Sequence, residues 1–164
     1  MLKRMAPDKW WSRLIWIAVT YVIAADFLPN LLLIIINCSG YLPYSDRPGP
    51  GWQMPHLPTI QELGFFFGFS VLLLTGTAIV AALFAAAGVI LAFCRLPVWA
   101  LRLIAAPIGF LASGFSMAGA GWYIAISALG VYIAAGCGLF WGIFVFPWLV
   151  PQMSRSFPRP ARIP

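Results

Sequence analysis

Polar positions along this chain gather into a few short patches, and between them run long apolar stretches. Four such stretches stand out, at 14–36, 63–93, 99–117 and 122–150. A helix rises 1.5 Å per residue, so about 20 apolar residues cross the hydrocarbon of a bilayer. The pattern predicts an all-α integral membrane protein built as a four-transmembrane-helix bundle. The second stretch is longer than a crossing needs, so tilt or an overhang is expected there. Residues 1–13 form a basic, tryptophan-edged approach to the first span. A cleaved signal peptide is the rival reading of this region, with Ala24-Ala25 as a poor cleavage site. It is disfavoured because apolar residues resume directly after Asp26. Residues 37–62 carry Pro43, Pro48, Gly49, Pro50, Gly51, Pro55 and Pro58 and read as an irregular extracytoplasmic loop. The run Ala118-Gly119-Ala120-Gly121 reads as a tight turn, and 151–164 as a basic, disordered tail near the membrane surface.

Inside the spans a second pattern appears at every fourth position. Gly130, Ala134, Gly138 and Gly142 fall on one helical face, as do Ala105, Gly109 and Ser113, and Thr77, Ala81 and Ala85. Beside the last row runs Ala78, Ala82 and Ala86. Lipid supplies no hydrophobic drive between helices, so close backbone approach over small residues takes its place. The rows are expected chiefly to pack the four spans together, with a partner protein as the alternative occupant of such a face. Pro107 is expected to kink the third span.

Composition agrees with this class. The chain is 62% hydrophobic and 9% charged, against about 25% charged in soluble domains. Its net charge of +6 is a topology signal and gives no reason to expect nucleic acid. Lys3, Arg4, Lys9, Arg13, Arg95, Arg102, Arg155, Arg159 and Arg162 would share one side of a four-span protein, leaving Arg47 opposite. An excess of Lys and Arg marks the cytoplasmic side. Both termini are therefore expected in the cytoplasm, in the inner membrane of a bacterium. A dual-topology exporter would need a nearly even distribution.

Asp26 is the most informative single residue. It lies twelve positions after Leu14, about 18 Å along a helix and close to mid-bilayer. A charge there costs about 2.5–3.5 kcal/mol on insertion scales. The span holds fourteen Leu, Ile, Val or Phe residues, which contribute roughly 4–8 kcal/mol, so insertion prevails. Asp26, Asn30 and Asn37 lie within about 40° of one another on a helix and form a polar stripe. Pro29 frees the carbonyl of Ala25 within it. Thr75, Thr77 and Tyr132 are candidate partners at similar depth. The stripe reads either as a register or assembly device, with a neutral aspartic acid hydrogen-bonded in the bundle, or as a proton or cation site. No basic residue stands at that depth to complete a relay.

Other chemistry finds little support. His56 falls in the outer loop and not within a span, which removes it as an intramembrane haem ligand from a helix. Metalloprotease, serine-hydrolase and phosphate-loop motifs do not occur. Cys38, Cys94 and Cys137 are far apart and form no metal-binding spacing. Neither a metal nor a cofactor is expected. The expectation is a non-catalytic accessory or assembly subunit, in contact with the lipid bilayer and with another membrane protein or a second copy of itself. The alternative is a small transporter or channel subunit that uses Asp26.

Overall fold

A computed structural model describes residues 10–39, 57–121 and 128–154. Among the described residues every regular element is helical, and four helices are long and apolar enough to cross a membrane. Span 1 joins α1 (Trp10–Val22), a π-helical turn (Ile23–Phe27) and α2 (Leu28–Cys38). Span 2 is the single helix α3 (Ile60–Cys94), and span 3 is α4 (Val98–Gly121). Span 4 joins α5 (Ala128–Phe140), a second π turn (Trp141–Val145) and α6 (Phe146–Ser154).

Both π turns sit just before a proline. Each ends two residues ahead of one, Pro29 in span 1 and Pro147 in span 4. Proline donates no backbone hydrogen bond, and its ring crowds the carbonyl four residues back. Those carbonyls belong to Ala25 and Ile143, and both lie inside the widened turns. The Leu28 N–H instead reaches the Ile23 carbonyl, and the Phe146 N–H reaches that of Trp141. Pro107 differs, standing inside an α-helix that continues unbroken from Val98 to Gly121.

The helices run past several edges read from composition. Residues 37–38 and 60–62 are helical, as is 118–121, where a turn was expected. The stretch 118–121 is only alanine and glycine, and inside a bilayer an α-helix satisfies its own backbone. The expected tail is likewise helical over its first four residues, Pro151 to Ser154. Tertiary contacts hold that end. Met153 is fully buried, and Arg13 donates from Nη1 to Oε1 of Gln152.

Consecutive spans run in opposite directions. Gly88, near the end of span 2, is surrounded by Ile17 from the start of span 1 and by Phe146 and Met153 from the end of span 4. Spans 2 and 3 are joined by a tight turn, with Arg95 in the left-handed region at φ 50°. Arg13, Arg95 and Arg102, the described basic residues, therefore share one end of the bundle.

That basic half holds an aromatic core. Tyr21, Phe84, Trp141 and Phe146 pack with ring centroids 4.8–5.9 Å apart, close to the favoured tilted and edge-to-face geometries. Trp141 places its Nε1–H on the Thr20 hydroxyl at 3.0 Å. A smaller core in the other half gathers Leu33, Phe69, Leu73, Met117 and Ala134.

Spans 3 and 4 meet backbone to backbone. A methyl group on Gly138 would strike the Gly109 carbonyl and the Ser113 hydroxyl, and one on Gly142 would strike Ala105 and Ala106. Gly130, Ala134, Gly138 and Gly142 are all buried. The Ala105, Gly109 and Ser113 row is buried too. Ala78, Ala82 and Ala86 instead face outward.

Candidate intramembrane polar site

The π turn in span 1 determines what Asp26 meets. On an unbroken α-helix, Pro29 and Leu33 would lie about 120° and 160° round from Ile17. The extra residue in the π turn takes back about 100°. All three are accordingly buried, together with Tyr21, Ala24, Ala25, Asp26 and Asn30. The same widening brings a carboxyl group into the bundle in place of a purely apolar seam. Asp26 is fully buried.

Asn30 joins this carboxyl to the next span. Its Nδ2 donates to Asp26 Oδ1 at 3.0 Å and to the Ser70 hydroxyl at 2.8 Å. Both amide hydrogens are then used. The remaining acceptors, Asp26 Oδ2 and Asn30 Oδ1, are buried and have no hydrogen-bond partner among the described residues. No described cation is near, since Arg13, Arg95 and Arg102 occupy the basic end. The site is thus an acceptor-rich pocket in hydrocarbon, where an unsatisfied polar atom is expensive and water is scarce.

Ser70 was not anticipated as the partner. Its signal is one hydroxyl close behind the Phe65–Phe69 aromatic run, seven residues after the apolar stretch begins at Leu63. The residues expected there go elsewhere. Thr77 is buried but bonds the carbonyls of its own helix, Leu73 at 3.1 Å and Leu74 at 3.2 Å. Thr75 is exposed, and Tyr132 is 71% exposed. Asn37 lies on α2, and its side chain is outside the described residues, as is all of His56. Ser113 sits 3.5 Å from the Tyr21 hydroxyl, in a separate polar contact between spans 1 and 3.

Spans 1 and 2 separate outward from this point. They leave an open groove of about 540 Å³, walled by Phe27, Leu31 and Ile34 on one side and by Leu63, Gly64 and Phe67 on the other. Asn30 and Ser70 are the polar groups that line it. Gly64 and Gly68, one turn apart on span 2, have no atom within 4 Å of where a side chain would begin. Compared with protein families, curated proteins and solved structures, the chain matches none.

Proposed function

We propose that this chain is a non-catalytic, multi-pass accessory or assembly subunit of a bacterial inner membrane. It binds a membrane partner by helix–helix contact in the groove between spans 1 and 2, with the 37–62 loop as a second contact outside the membrane. Both termini lie in the cytoplasm. The observation that carries this reading is the pair of buried acceptors, Asp26 Oδ2 and Asn30 Oδ1, left without donors beside an open groove. A partner's helix seated in the groove would meet Asn30 and Ser70, the polar groups that line it, and a donor there would extend a network that lipid leaves incomplete. The bare backbone at Gly64 and Gly68 supports the same reading, because it admits a helix closely.

A photo-crosslinking residue at Leu31 or Phe67 is expected to capture one defined membrane protein in intact cells, while the same probe at Phe115, which is exposed on span 3, captures none. Asn30→Leu is expected to abolish the adduct with the protein still accumulating. Equal capture from both faces would refute the assembly reading. A second reading, a transporter or channel subunit, is favoured by the same unpaired carboxyl oxygen. It requires that Asp26→Asn stop solute or ion movement in proteoliposomes while the crosslink persists.

A further inference from the structure

A second groove lies at the basic end, between spans 3 and 4, and differs in character from the one beside Asp26. It measures about 610 Å³ and is lined by Trp99, Arg102, Leu103, Ala106, Pro107 and Ile143. It opens sideways, where lipid would be. Its position follows from the glycine seam. Gly142 brings the span 4 backbone onto Ala105 and Ala106. Ala106 is too small to fill the hollow beside that contact.

Apart from Arg102 and the Trp99 ring nitrogen, the lining side chains are hydrocarbon. Arg102 lies four residues after the start of α4 at Val98, about 6 Å along the axis. A guanidinium at that depth reaches the headgroup layer along its own methylene stem. Its charge has no described counter-ion nearby. The acids among the described residues are Asp26, in the first span, and Glu62, near the opposite end of span 2. Trp99 is 65% exposed at the rim, where an indole suits the boundary between headgroups and acyl chains.

We infer that this groove binds an anionic phospholipid. Its phosphate meets the Arg102 guanidinium, and one acyl chain lies along Leu103, Ala106, Pro107 and Ile143. Guanidinium presents paired donors that match phosphate oxygens, and basic pockets between spans on the cytoplasmic side are suited to such headgroups. The charge selects the headgroup, while the apolar wall selects a chain and not a free anion.

The test uses the full-length protein in mild detergent. Phosphatidylglycerol and phosphatidylcholine are titrated separately, and the bound fraction is read by native mass spectrometry. Phosphatidylglycerol is expected to bind more tightly. Arg102→Gln is expected to weaken it roughly fivefold or more and to leave phosphatidylcholine unchanged. Arg95→Gln, the same charge change at the exposed turn, is expected to have little effect. Leu103→Trp, which fills the groove from an exposed position, is expected to weaken phosphatidylglycerol with every arginine in place. A phosphatidylglycerol with a photoreactive acyl chain is expected to label 103–107 or Ile143. Equal losses from the Arg95 and Arg102 variants would reduce the effect to diffuse surface charge and overturn the site. Labelling confined to other spans, or full binding by Leu103→Trp, would also overturn it.

Discussion

Gly138 has no side chain because there is no room for one. A methyl group there would run into the Ser113 hydroxyl and into the Gly109 carbonyl, which is backbone and cannot swing aside. Gly136, two positions earlier, has open space. Gly138→Ala is therefore expected to destabilise the bundle by about 1–3 kcal/mol, as overpacking of a close contact does. Gly136→Ala is expected to leave it within about 0.5 kcal/mol. Thermal or denaturant unfolding in mild detergent measures both. If the two variants unfolded alike, the close approach of spans 3 and 4 would be wrong. At this scale the sequence was partly legible. Spacing by four gathers Gly130, Ala134, Gly138 and Gly142 on one face, but it cannot say which helix that face meets. Ser70 shows the limit, because span 2 is apolar nearly all round and its rotation about its own axis leaves no trace in hydropathy. Depth alone favoured Thr75, Thr77 and Tyr132, yet Thr77 is satisfied by its own helix and the other two face outward.

The helix of span 1 keeps one buried face only because it is interrupted. Its π turn holds one residue more than an α-helix would, and this residue realigns Pro29 and Leu33 with Ile17 and Tyr21. Deleting Phe27, which is partly exposed in the π turn, is expected to convert the turn to α-helix with both flanking faces still aligned. Deleting Leu31, equally outward but in regular helix, would rotate everything beyond it by about 100°. The Phe27 deletion is expected to keep most of the wild-type level in the membrane, and the Leu31 deletion to lose it. Quantitative immunoblotting of membrane fractions, with trypsin resistance as the folding check, decides between them. Comparable losses would remove the π turn as the reason for the alignment. Proline alone could not have revealed this feature, since Pro107 stands inside a continuous helix. What separates Pro29 and Pro147 is that both are themselves buried, whereas Pro107 faces outward, and this shows only once the neighbouring helices are in place.

Across the whole molecule, the long-wave pattern of apolar runs was the most legible property. It anticipated four membrane-capable helices, with the last edge displaced where Met153 and Gln152 find tertiary partners and another where 118–121 continues as helix. The up-and-down order puts Arg13, Arg95 and Arg102 at one end, and the proposed sidedness turns that end to the cytoplasm, where an excess of basic residues is the rule. A reporter enzyme active only outside the cytosol is therefore expected to stay silent when fused after Pro164. It is expected to work when inserted in the loop that follows span 1. Activity at the first position would reverse the proposed sidedness, and with it the leaflet from which the Arg102 groove draws its lipid.

The glycine seam has one more consequence, and it concerns inheritance. Where two main chains touch, neither helix can enlarge a residue unless the other gives up volume at the facing position. In descendants of this sequence the rows at 105–113 and 130–142 are bound to change as a pair or to stay as they are. The splayed outer halves of the first two spans are under no such mutual restraint.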